Sequence, residues 1–205
     1  MKKTFLIIAL VATTASALVG CSDTNQESLQ EQAVSSENRE TLDNVSTVAQ
    51  QDTIKGSIPS EAAGSIGDVN IKISYYAPGV KGRIIWGGLV PYDQVWTTGA
   101  HMATSLEFEH DLVIGGQEIQ AGKYALFTNP GREEWTVIIN KNWEQHLADE
   151  YDQKEDVLRV KVKPTVQNQH QERLKYEIKQ LSEKKGAIHM AWDDLIVSVP
   201  VSIQP

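Results

Sequence analysis

The chain has 205 residues, 40% of them hydrophobic, with a formal net charge of −8 and a single cysteine. That acidity argues against nucleic-acid binding and against a basic patch for anionic lipid. One thiol leaves no pair for an internal disulfide and no thiolate set for a metal.

The chain opens with Lys2 and Lys3, then an unbroken apolar run from Phe5 to Val11 that continues in smaller residues to Val19. A positive start and a short apolar core are the layout of a secretory signal, too short for a membrane span. The run ends Leu18-Val19-Gly20-Cys21. An aliphatic residue three positions before a cysteine, with a small residue just before it, is the pattern at which bacterial lipoproteins are cut and lipidated. Residues 1–20 are therefore expected to be a signal peptide, and Cys21 the lipidation site. Each buried acyl methylene contributes about 0.8 kcal/mol, so two or three chains anchor firmly. The expected place is the cell envelope of a Gram-negative bacterium, at the outer membrane, facing periplasm or surface. Losing Lys2 and Lys3 leaves the mature chain at −10.

Residues 21–55 follow as a tether. They are rich in Ser, Thr, Gln, Asn and Glu, carry no aromatic residue, and set their acids against only Arg39 and Lys55. Such a segment cannot bury enough apolar surface to offset its ordering entropy. Its average reach is roughly 30 Å. Asp52-Thr53-Ile54 matches a three-residue O-glycosylation acceptor, a match short enough to arise by chance.

From Gly56 the composition changes, and all five tryptophans and all six tyrosines lie beyond it. Residues 56–205 suit one domain with a single core. Apolar residues alternate at Val69, Ile71 and Ile73, at Leu106 and Phe108, and through Tyr124 to Thr128. The same pattern returns at Leu174, Tyr176 and Ile178, at Ile188, Met190 and Trp192, and from Leu195 to Ile203. A period of two marks strands with one buried face. Gly115-Gly116, Ala121-Gly122, Asn129-Pro130-Gly131 and Lys184-Lys185-Gly186 punctuate these runs as hairpin turns. An apolar strand is expected after Arg83, a helical turn within 142–152, and a turn at Asp193-Asp194. With no strand–helix–strand rhythm, the expected fold is all-β: an antiparallel, jelly-roll-like β-sandwich of about ten strands.

The run Gly82-Arg83-Ile84-Ile85-Trp86-Gly87-Gly88-Leu89-Val90-Pro91-Tyr92 is distinctive, as is Val95-Trp96-Thr97-Thr98-Gly99-Ala100 after it. With Ile114-Gly115-Gly116, the stretch Ala121 to Phe127 and Glu134-Trp135-Thr136-Val137-Ile138, they resemble the bacterial domain of unknown function 2911 family from about Val69 to Ile203. The resemblance implies an exported, often lipidated protein with no assigned activity. The family's core reads Trp-Arg-Thr-Gly-Ala-Asn-Glu-Ala-Thr. Here Thr97, His101 and Met102 replace its Arg, Asn and Glu, so any shared role for that charge pair is lost.

The segment from Trp96 to Thr104 is the candidate ligand site. It combines an aromatic, a permissive glycine at 99 and the polar side chains of Thr98, His101 and Thr104. Arg83 joins it as a cation for an anionic ligand. The competing reading makes Trp96 a plug of the sandwich and Thr98-Gly99 a turn. The five histidines are scattered, which gives no expectation of a metal. Hydrolase elbows and phosphate loops are absent, and no cofactor is expected. Glu107 and Glu109 share a wet strand face, and catalysis by carboxylate pairs is not expected. Three functions follow in order: non-enzymatic binding of a small polar ligand or an envelope protein; a carbohydrate-active or other hydrolase around Trp96–Thr104; and a structural envelope lipoprotein.

Overall fold

The computed structural model describes residues 52–203. The signal peptide, Cys21 and the tether up to residue 51 lie outside the described residues. Ten strands form: β1 (Ile58–Ile66), β2 (Val69–Ala77), β3 (Ser105–Phe108), β4 (Leu112–Ile114), β5 (Gln117–Ile119), β6 (Gly122–Asn129), β7 (Trp135–Asn140), β8 (Asp156–Val162), β9 (Thr165–Ser182) and β10 (Lys185–Ser202). Six make one sheet in the order β1-β2-β3-β6-β7-β8, and four make the other in the order β5-β4-β10-β9. All named pairings are antiparallel. The expected all-β sandwich therefore forms.

Alternation explains which face each strand buries. Val69, Ile71, Ile73 and Tyr75 of β2 face the core, while Asn70 and Lys72 face water. Leu106, Leu126, Val137 and Ile139 carry the same face across the sheet, opposite Leu174, Tyr176, Ile188, Met190, Val197 and Val199 of the smaller sheet. The interior between the sheets is almost solid, with a void of about 20 Å³ beside Thr98 and Tyr176. Strand β6 is buried on both faces. Its outward Ala125 and Phe127, with Ile138 of β7, pack under Val95, Ala103, Trp143, Ala148 and Tyr151 from two long loops. The hairpin β4–β5 turns through Gly115 and Gly116 at φ 58° and 87°, the left-handed pair that a two-residue hairpin turn requires.

Three local expectations change. No strand follows Arg83: Leu89 N–H donates to Ile84 O (3.0 Å) and Val90 N–H to Ile85 O (2.9 Å), folding the run into turns that leave Ile84 exposed. Asp193-Asp194 does not end a strand. Asp193 sits at φ 54° in a bulge, so β10 bends there and continues. Within 142–152 there are turns, and a short 3-10 helix comes just after, at Gln153–Glu155. Side chains hold that loop: buried Asn140 donates to Asp152 O and Asp156 Oδ1, and Gln145 donates to Asn142 O.

Candidate functional site

The connection from Pro78 to Thr104, between β2 and β3, carries most of the candidate residues. It is pinned to β6 at two points. Trp96 N–H donates to Thr128 O (2.7 Å) and receives a bond from Thr128 N–H in return (3.0 Å), while Leu126 N–H donates to Thr104 O (2.7 Å). Between the pins the chain makes a tight, buried loop. Thr98 is 1% exposed and stands at φ 53°, an unfavourable region for a β-branched residue. Its carbonyl accepts from Tyr176 Oη (2.8 Å) and Thr104 Oγ1 (3.0 Å), and its own hydroxyl meets Thr128 Oγ1 (3.0 Å). Burial pushes the Tyr176 phenol well above its ordinary pKa, which keeps it a donor. These bonds offset the backbone strain at Thr98.

Gly99 has a different role from the one its sequence position suggests. It is not among the residues with positive φ, which here are its neighbours Thr98 and His101. A Cβ at position 99 would stand 2.6 Å from Thr104 Oγ1, so close packing requires glycine there. Beside it, Thr97 is buried with its hydroxyl unpartnered, whereas Met102 is exposed.

Four of the five tryptophans meet in this region. Trp96 stacks on Trp192 (5.7 Å between centroids, 20° between planes), and Trp86 meets Trp135, Trp192 and Trp96 edge-on at 4.9, 5.7 and 6.0 Å. Trp135 and Trp192 are fully buried, while Trp86 and Trp96 are only partly covered. The expectation that Trp135 and Trp192 belong to the core holds. Trp192 is also in contact with the adjoining cleft.

A cleft of about 750 Å³ opens over Trp96 and Trp192. Pro78, Leu89, Val90 and Leu147 supply apolar wall, Gly99 and Ala100 supply backbone, and Lys55, Lys81 and Arg83 supply charge. Asp52 to Ser57 form its remaining side. Composition assigns Asp52–Lys55 to the tether, yet this strap is held against the domain. Arg173, on β9, pairs with Asp52 and donates to Ile54 O (2.7 Å), Gly56 O (3.0 Å) and Ala77 O (2.9 Å). Lys81 also pairs with Asp52 (3.3 Å). Hydrogen bonding to Arg173 lowers the Asp52 carboxyl to about 2, with smaller contributions from Ile54 N–H and Lys81.

The cleft brings together Trp96, Gly99 and Arg83 of the sequence candidates. Thr98 and Thr104 are buried behind it with their hydroxyls engaged. His101 is exposed, packs edge-on against Tyr76 (4.9 Å) and is not part of the cleft wall. The strap, Lys81, Leu89, Leu147 and Trp192 are wall residues that sequence reasoning did not single out as a site. Among the described residues, no three His, Cys, Asp or Glu side chains are placed to hold a metal.

The two antiparallel sheets, with a tryptophan-floored cleft at one side, make this an all-β domain. The family model described as Protein of unknown function (DUF2911) matches residues 57–201, and the chain belongs to that family. The match begins at the foot of β1, a dozen residues before the sequence motifs point to it. Comparison with curated proteins and with solved structures gives no match.

Proposed function

We propose that this protein is an envelope lipoprotein, lipidated at Cys21 and tethered to the outer membrane, whose sandwich binds a small ligand in the cleft over Trp96 and Trp192 without transforming it. The export reading rests on the sequence from Lys2 to Cys21. The binding reading rests on one observation, a cleft of about 750 Å³ with an aromatic floor beside an otherwise solid core. That volume falls within the roughly 300–1,000 Å³ usual for small-molecule sites. Partly exposed tryptophans give large contact area at low entropy cost. A hydrolase at Trp96–Thr104 has less support: the Thr98 and Thr104 hydroxyls are engaged internally, and the carboxylate on the cleft wall, Asp52, is committed to Arg173 and Lys81.

Two measurements test this. Cys21→Ser should abolish incorporation of labelled palmitate, and label retained in that variant overturns the anchor. Native mass spectrometry of protein purified from envelopes should show a bound small molecule. Ala100→Trp, which fills the cleft from its wall, should remove that molecule while leaving the circular dichroism spectrum unchanged. A ligand retained by a folded Ala100→Trp variant overturns the cleft as the site.

A further inference from the structure

Resting on the binding reading above, we propose that the ligand is an amphiphile with one anionic head, of the long-chain carboxylate class. Its head would sit at Arg83 and its apolar body would lie over Trp96.

The apolar half of the argument comes from where exposed hydrophobic side chains gather. Seven large ones are exposed among the described residues. Ile54, Leu89 and Leu147 line the cleft, and Ile84 lies in the same turn as Leu89, one residue from Arg83. Three of the seven therefore line one opening, and a fourth belongs to the turn that supplies Arg83 and Leu89 to it. Single exposed hydrophobics need no explanation, but a group around a concavity marks a site that meets apolar material.

The polar half comes from charge. The protein is acidic overall, yet this wall carries Lys55, Lys81 and Arg83 against the single carboxylate of Asp52. Asp52 is already shared by Arg173 and Lys81. Arg83 has no acidic partner among the described residues. Its guanidinium is nonetheless held: Nε donates to Val80 O (3.1 Å) and Nη2 to Gly79 O (2.5 Å), both carbonyls of its own turn. Those bonds orient the fork and leave Nη1 without a protein acceptor. A pre-oriented guanidinium with unused donors is suited to a carboxylate or phosphate oxygen, and little side-chain entropy remains to be lost on binding. A sugar or another neutral polar ligand would leave this charge unanswered and would not explain the apolar rim.

The test uses the secreted chain carrying Cys21→Ser, so that no protein-bound acyl chain competes. Laurate, below its micelle concentration, is titrated while tryptophan emission and heat are followed. The neutral alcohol of the same chain length and acetate are titrated in parallel. Laurate should bind at least about tenfold more tightly than the alcohol, the worth of one charge-assisted hydrogen bond, and acetate should not bind measurably. Arg83→Gln should erase the difference between laurate and the alcohol, and Arg83→Lys should restore part of it. Equal affinity for laurate and alcohol, or an unchanged preference in Arg83→Gln, overturns the anionic head. If neither amphiphile binds while Ala100→Trp still removes some other ligand, the amphiphile class is wrong and the cleft stands. If nothing that binds is displaced by Ala100→Trp, the cleft reading itself fails. Flotation with anionic phospholipid vesicles distinguishes the sources: capture by vesicles that laurate reverses points to a membrane lipid, and laurate binding without capture points to a free carboxylate.

Discussion

Replacing Trp96 by alanine separates the two roles that the cleft loop combines. The indole stacks on Trp192 at 5.7 Å, touches Trp86 edge-on at 6.0 Å and donates from Nε1 to Gly99 O at 3.2 Å. Truncating a fully buried tryptophan costs about 3–5 kcal/mol. Trp96 keeps part of its surface in the cleft, and that part loses nothing on truncation. The Trp192 face is left open, a stacked pair worth about 0.5–1.5 kcal/mol is lost, and so is one hydrogen bond worth about 1 kcal/mol. The expected loss is about 2–3 kcal/mol. For a domain of this size that lowers the melting temperature by roughly 5–10 °C. His101→Ala is the matched control. His101 is exposed and touches Tyr76 only at an edge, so its removal should change stability by less than about 0.5 kcal/mol. Binding in the cleft should fall with Trp96→Ala and be unchanged with His101→Ala. Calorimetric melting and ligand titration of both variants read the four outcomes. A Trp96→Ala protein that melts with the parent, or a His101→Ala protein that loses as much, would refute the geometry of the loop.

The strap carries a pH prediction. The Asp52 carboxyl is held below its unfolded value, so its contribution is complete above about pH 4 and is lost as the pH falls through about 2; hydrogen exchange at residues 52–57 should speed up over that window, and an exchange rate flat in pH once the intrinsic rate is removed would contradict it. Asp52→Asn should give the fast exchange already at pH 7. Gly115→Ala should destabilise by about 2–4 kcal/mol, because φ 58° disfavours any Cβ and this one would stand 2.4 Å from Val160 Cγ2; chemical denaturation measures it. Thr98→Val keeps the shape but leaves the Thr128 hydroxyl without its partner, at about 1–3 kcal/mol by the same measurement.

The sandwich was legible because burial on one face imposes a period of two, and that period survives in β2, β3, the middle of β9 and both halves of β10. It failed where backbone geometry departs from the pleat for reasons that side-chain hydrophobicity does not record. Ile84 to Val90 is as apolar as a strand, but its amides close back on the carbonyls of Ile84 and Ile85. Asp193-Asp194 has the composition of a turn, yet a strand can take up an extra residue in a bulge and continue. In the first case the bonds that replace a strand lie within the turn itself; in the second the bulge is set by the pairing with β9.

The site was less legible because its residues are joined by contacts that no local pattern encodes. Trp96 and Arg83 were visible through an unusual local density of aromatic, glycine and charge. Trp192 read as core because it alternates with Ile188 and Met190, and it is core; that one edge of it also floors a cleft depends on where the Pro78–Thr104 connection leaves a gap. The strap is the sharper example. Composition asks whether a segment can bury enough of its own apolar surface to stay ordered, and Asp52–Lys55 cannot. It does not ask whether a distant side chain can hold the segment instead. Arg173 is 121 residues from Asp52 and binds its carboxylate along with the carbonyls of Ile54, Gly56 and Ala77. A guanidinium with five donors in a fixed fork can gather several backbone oxygens at once, so one arginine orders a stretch whose own residues contribute almost nothing to a core. The signal is long-range: Arg173 pairs with Asp52 and with none of the acids of its own β9–β10 hairpin, a choice that no local pattern displays.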